Sequence, residues 1–300
     1  MTIGVCPGYS STPTKEDSLN KILRTIATLT AAAALALTFV APASAITGGE
    51  RDGAGHPNVG MILFYDATGR YRCSATLISP TVVLTAAHCT KDTLGKTGVT
   101  FNSVIAEQGP FPFAPAANPS AGYTAAELEA MGMLSGTAYA HPNYSDFTDV
   151  RNWNDVGVIV LDKQVVGIDA APLPPRNFLD GYAQPKLTST LFTVVGYGTE
   201  VRKPDSGPQK PQPMSYPLVR RVTTSPGQKL TSQILQLNGV INDVRGGGGT
   251  CFGDSGGPVF LNGYLVADTS YGYTSNCRYL GGYQRLDIKS VQDWLATFGL

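Results

Sequence analysis

The stretch from Gly253 to Val266 constrains the fold more than any other part of the chain. It opens with a serine set among glycines, Gly253-Asp-Ser-Gly-Gly-Pro258. It runs straight on into Val259-Phe-Leu-Asn-Gly-Tyr-Leu-Val266, where Asn-Gly sits between two apolar arms. Asn-Gly is the pair preferred by a two-residue turn with both φ angles positive, so the serine loop feeds a β-hairpin. Other short apolar runs agree with that reading. Cys73-Ser-Ala-Thr-Leu-Ile78 alternates, Thr81-Val-Val-Leu-Thr85 is β-branched, and Val156 to Leu161 and Leu191 to Tyr197 are short and apolar. Short strands between turns give an all-β sandwich or barrel. With charged residues at 15% against 34 glycines and 21 prolines, the composition suits many turns and few polar helices.

The serine loop also fits G-x-S-x-G, the nucleophile elbow of α/β-hydrolases. That elbow needs a helix after the serine, and its acid and histidine follow in the chain. Here a hairpin follows, and all 3 histidines, His56, His88 and His141, precede Ser255. The α/β-hydrolase alternative is therefore set aside.

Lys plus Arg and Asp plus Glu are 22 each, so charge gives no reason to expect nucleic acid or an anionic membrane as partner. Residues 1–45 read as a leader. Lys21 and Arg24 supply positive charge, Ile26 to Val40 is apolar apart from threonines, and Ala41-Pro-Ala-Ser-Ala45 ends in a small-x-small cleavage pattern. The apolar run is about 15 residues, short of the ~20 that span a bilayer, which disfavours the alternative of an uncleaved anchor. Export removes Cys6 and leaves Cys73, Cys89, Cys251 and Cys277. An even count in an exported chain reads as two disulfides, and spacing does not choose among the three pairings. No C-x-x-C pair is present to suggest zinc, and no metal or other cofactor is expected.

Two helices are expected, one over Thr124 to Met133 and one at the C-terminus. There Ile288, Val291, Trp294, Leu295 and Phe298 recur at helical spacing after Asp287, a candidate N-cap. Ala170-Ala-Pro-Leu-Pro-Pro175 marks a boundary between two halves, while Lys203 to Pro217 and Pro110 to Gly122 read as exposed loops.

Glycines beside Ser255 let the backbone turn tightly and let N–H groups converge on one oxygen, as acyl transfer requires. A serine nucleophile needs a base, and Leu84-Thr-Ala-Ala-His-Cys89 supplies His88 at the end of an apolar strand. His56 and His141 each precede a proline and are expected in surface turns, outside the chemistry. Asp155, in Asn154-Asp-Val-Gly-Val-Ile-Val-Leu161, stands at the head of an apolar strand. A carboxylate buried there needs a partner, and the imidazole N–H of His88 is suited to it. Asp149 and Asp162 are the nearby alternatives.

Taken in order, Ile46-Thr-Gly-Gly49, Leu84-Thr-Ala-Ala-His-Cys89, Asn154-Asp-Val-Gly157, Gly196-Tyr-Gly198 and Cys251-Phe-Gly-Asp-Ser-Gly-Gly-Pro258 resemble the successive signatures of the chymotrypsin/trypsin family. The likeness runs from Ile46 to the C-terminal helix and is to the secreted, bacterial type. It implies two antiparallel six-stranded β-barrels, about 46–173 and 174–300, with a C-terminal α-helix. His88 and Asp155 would come from the first barrel and Ser255 from the second, meeting in the cleft between them. The resemblance implies a secreted serine endopeptidase working through an acyl-enzyme. Its partners would be polypeptide substrates and protein protease inhibitors, with no nucleic acid and no membrane, and it would act as a monomer.

The resemblance also assigns individual residues. The oxyanion donors would be the N–H groups of Gly253 and Ser255. Ser270 matches the serine that touches the buried aspartate, and Ser270-Tyr-Gly272 the strand that pairs with substrate. The expected disulfides are Cys73–Cys89 and Cys251–Cys277. Gly249, two before Cys251, stands at the base of the primary pocket where an Asp would select Arg or Lys, and Gly272 and Gly281 match its walls. A large neutral side chain is therefore the expected substrate residue, with Asp268 as the alternative source of a charge. A new Ile46 amine would pair with Asp254, and because the leader ends at Ala45, export and activation would be one cut. Cleavage elsewhere with later trimming is the alternative. Thr47 replaces the usual Val or Ile, and Tyr197 and Tyr271 stand where Trp is frequent.

Overall fold

The computed structural model describes residues 46, 48–201, 214–240 and 243–300. The expected leader, and most of the expected loop from Lys203 to Pro217, lie outside them. Six strands, β1 (Val59–Asp66), β2 (Gly69–Ser79), β3 (Val82–Thr85), β4 (Leu94–Thr100), β5 (Leu134–Ala140) and β6 (Gly157–Leu161), close into a barrel in the order β1-β2-β3-β6-β5-β4. Six more form a second sheet: β7 (Leu191–Gly196), β8 (Arg221–Leu230), β9 (Ile234–Asn238), β10 (Pro258–Leu261), β11 (Tyr264–Gly272) and β12 (Leu280–Arg285). β7 pairs with both β8 and β10, which closes this sheet as well. Every pairing in both barrels is antiparallel. The fold is the expected pair of six-stranded barrels.

Strand periodicity explains the cores. Cys73, Ala75 and Leu77 on β2 point into the first barrel, against Ile62, Val83, Val99 and Ile159. The alternate residues Ser74 and Thr76 are also fully buried. Apolar residues of both barrels, including Leu84, Val156, Val158, Leu265 and Leu286, form one further cluster. Burying each such aliphatic side chain contributes about 1.5–3 kcal/mol. At the β10–β11 hairpin Asn262 and Gly263 have φ of 50° and 82°, as the Asn-Gly signal requires. Disulfides link Cys73 to Cys89 and Cys251 to Cys277.

Helix α1 (Ala125–Ala130) starts with a capping box between Thr124 and Glu127. Helix α2 (Lys289–Leu295) lays Val291 and Leu295 onto the shared cluster. Its N-cap is Ile288, which corrects the assignment of that role to Asp287. The Asp287 carboxylate instead accepts from the Leu179 N–H and from the buried Arg285 guanidinium, whose charge needs a counter-ion. The 110–122 segment is the expected loop, mostly exposed, but it is anchored at a few points. Phe111 and Phe113 pack against apolar clusters, Ala116 is buried, and Arg70 lies 4.7 Å from the Phe111 ring centroid. Near the other loop, Met214–Ser215 pairs with Glu200–Val201 as a short ribbon. Among the described residues no helix is long and apolar enough to cross a membrane.

Candidate active site

β3 is followed by the buried Ala86 and Ala87, and the chain turns once as a 3-10 helix over Ala87–Cys89. Small side chains allow that close turn, the hydroxyl of Thr90 bonds the Ala87 carbonyl at 3.1 Å, and the Cys89–Cys73 bond ties it to β2. His88 is presented from this turn with 22% of its side chain exposed. Asp155 lies just ahead of β6 and is fully buried. One of its oxygens accepts the His88 backbone N–H at 2.9 Å, and the other meets the ring Nδ1 at 2.8 Å. The second oxygen also accepts the Ser270 hydroxyl at 2.6 Å, and that hydroxyl in turn accepts the Trp153 indole N–H at 2.8 Å. Gln284 accepts the Asp155 N–H at 3.0 Å. Cys73, Cys89 and His88 also lie close enough to suggest a metal centre, but the two sulfurs are bonded to each other and offer no thiolate.

The serine loop packs directly on this turn. Gly256 has φ +71°, and a Cβ there would lie 2.0 Å from the Thr85 hydroxyl and 2.5 Å from the Ala86 nitrogen. Only glycine lets residue 255 approach so closely. Around it the N–H groups of Asp254, Gly256 and Gly257 donate to the carbonyls of Cys251, Thr269 and Asp254. Those of Gly253 and Ser255 donate to no acceptor among the described residues. The Ser255 hydroxyl and His88 Nε2 likewise have no hydrogen bond among the described residues.

Asp254 is fully buried and accepts the N–H groups of Gly198 and Cys251 at 2.7 and 2.8 Å. Burial pushes its pKa up to about 6, against the opposing pull of those two bonds and the Arg72 charge. Ile46, its expected partner, is also buried, but Ile46 is not among its hydrogen-bond partners in this uncut chain.

A cavity of about 340 Å³ opens beside Ser255, lined among others by Ser270, Tyr271, Gly272, Thr250 and Cys277. Among the described residues no charged side chain lines it. Gly249 and Gly281 stand outside the lining. Gly249 packs against Gly239, where a Cβ would lie 2.7 Å from that residue's Cα, and the Tyr283 phenol lies directly over Gly281. The Tyr283 hydroxyl bonds Thr250 at 3.1 Å. Asp268, the alternative source of charge, is fully buried and does not line the cavity.

Of the remaining histidines, His56 sits in the expected surface turn and His141 does not. His141 is buried with its ring 5.1 Å from that of Trp294 and its Nε2 at 3.2 Å from the Ser290 carbonyl. Burial lowers its pKa, and the neutral ring anchors α2. His56 is part-buried, stacked on Phe260 and paired with Asp52. Neither lines the cavity beside Ser255. Asp149 holds its own loop through Arg151 and Asn152, and Asp162 pairs with Lys96, so neither competes with Asp155.

A family model described as Trypsin matches residues 46–295. Trypsin-10 of Gadus morhua is 26% identical over 237 residues, covering 77% of this chain and 84% of that protein. Trypsin Blo t 3 of Blomia tropicalis is 29% identical over 238 residues, covering 76% and 77%. A solved HL collagenase has the same fold, with a TM-score of 0.55 at 19% identity over 84% of this chain and 97% of its own. With the family's match running through both barrels and into α2, the chain belongs to the trypsin family and is a serine peptidase, a hydrolase of peptide bonds.

Proposed function

We propose that residues 46–300, freed from a leader at 1–45, act outside the cell as a monomeric endopeptidase with Ser255 as nucleophile, His88 as general base and Asp155 as the orienting carboxylate. The observation that carries this reading is the buried Asp155 carboxylate on His88 Nδ1, beside the Gly-flanked Ser255. A carboxylate only accepts, so Nδ1 keeps its proton and Nε2 presents a lone pair. Nε2 takes the Ser255 proton as Oγ attacks the scissile carbonyl, and Asp155 stabilises the imidazolium that forms. The imidazolium then protonates the leaving amine, and water, activated by the same base, releases the acyl group. The unclaimed N–H groups of Gly253 and Ser255 suit the oxyanion, each worth about 3–4 kcal/mol at most. Two disulfides support an oxidising, extracellular setting. Ser255→Ala is expected to abolish peptide cleavage and stoichiometric labelling by a fluorophosphonate while melting as the parent does. A variant that still cleaves at the parent's rate overturns the reading.

A further inference from the structure

β2 belongs to the first barrel, yet its Ser74 is spent on the loop that carries Ser255. The residue is fully buried. Its hydroxyl donates to the Gly253 carbonyl at 2.9 Å and accepts the Tyr197 N–H at 2.9 Å. Its backbone N–H donates to the Ser255 carbonyl, also at 2.9 Å. Two residues earlier on the strand, the Arg72 guanidinium donates to the Tyr197 carbonyl and packs on Gly253, where a Cβ would lie 2.8 Å from it.

Gly253 needs such a hold. Its φ is +96°, a conformation open to glycine, and glycine also leaves it readily. The two candidate oxyanion donors, the N–H groups of Gly253 and Ser255, lie on either side of the Gly253–Asp254 peptide. Rotation of that peptide would turn both donors away from a common point. Fixing its carbonyl fixes their direction before substrate arrives, which is the preorganisation that electrostatic catalysis depends on. The second bond, from Tyr197, holds the hydroxyl itself and links it to the segment whose Gly198 N–H grips Asp254.

We propose that Ser74 is a positioning residue for the oxyanion site, its hydroxyl clamping the Gly253 carbonyl so that the N–H groups of Gly253 and Ser255 converge. This rests on the reading of Ser255 as nucleophile and of those two groups as its oxyanion donors. The effect is on the transition state and not on substrate binding.

The test is steady-state kinetics of Ser74→Ala and Ser74→Cys on an amide substrate, with Ser255→Ala alongside. For Ser74→Ala, kcat is expected to fall about 10- to 100-fold, less than the roughly 10²–10³-fold for outright loss of a donor, with KM within about twofold. Affinity for a peptide boronic acid, which forms a tetrahedral adduct, should fall by a similar factor. Ser74→Cys, keeping a weak donor of similar size, should lie between. If Ser74→Ala folds poorly, the Ser74→Cys comparison decides by the same split. Unchanged kcat, or a loss confined to KM or melting temperature, overturns the role of Ser74 while an inert Ser255→Ala leaves the nucleophile standing. A fully active Ser255→Ala overturns both.

Discussion

At the scale of single residues, Asp268 is a buried group that the chemistry does not use. It stands on β11 two places before Ser270, with Gln284 across one neighbouring strand and Pro258 across the other, neither of them charged. Its side chain is fully buried and neither carboxyl oxygen has a partner among the described residues. Burial, and then the negative charge of Asp155, push its pKa well above the ordinary carboxylate range. The folded chain thus keeps a proton that the unfolded chain releases near pH 4, and stability falls as pH rises from there through the raised value. Asp268→Asn removes that titration. Its stability relative to the parent should rise as pH goes from about 4 to about 8. Melting curves across that range check it, and a gap independent of pH would sink the assignment. The sequence made His88, Asp155 and Ser255 legible because each sits in its own short local pattern. Ser74 and Gln284 were not, since the groups they hold lie 179 and 129 residues away. A polar residue on an alternating strand reads as a solvent-facing position until a second barrel covers it.

At the scale of elements, period-2 alternation and the Asn-Gly turn make the longer strands readable, because both are local properties. Contacts set by tertiary packing were not. Phe111 and Phe113 anchor a Pro-rich segment that composition alone marks as exposed, and the buried charge of Arg285 diverts Asp287 from capping α2. The cavity beside Ser255 belongs to this scale as well, since β11 and the Cys251–Cys277 link supply much of its wall. Thr250 supplies a hydroxyl, and no lining side chain among the described residues carries a charge to pair with Arg or Lys. Profiling with a peptide library is expected to give cleavage after large neutral residues, apolar or aromatic. A profile dominated by Arg and Lys would reject that specificity.

At the scale of the whole molecule, a cut after Ala45 would couple Ile46 to the Asp254 loop. Asp254 is buried, and its pKa of about 6 reflects desolvation that outweighs its two backbone hydrogen bonds and the Arg72 charge. Cutting after Ala45 would free the Ile46 amine as a cation for it, so that export and activation coincide. The active exported protein is expected to begin at Ile46 by N-terminal sequencing, and one beginning elsewhere refutes the single-cut scheme. Asp254→Asn should lose most activity with the triad intact. With Asp254 ionised, the amine keeps its contribution until it deprotonates, so activity should fall reversibly in alkali. A further consequence lies in β2, where adjacent residues face opposite ways. Cys73 looks into its own barrel to brace the His88 turn, and Ser74 looks out to the serine loop. Sliding β2 by one residue against β1 so that Cys73 takes the place of Ser74 would present a sulfur to Gly253 and bring Arg72 to the apolar interior in place of Cys73. The strand therefore has one workable register, and a single inserted residue ahead of Cys73 would undo the brace and the clamp together.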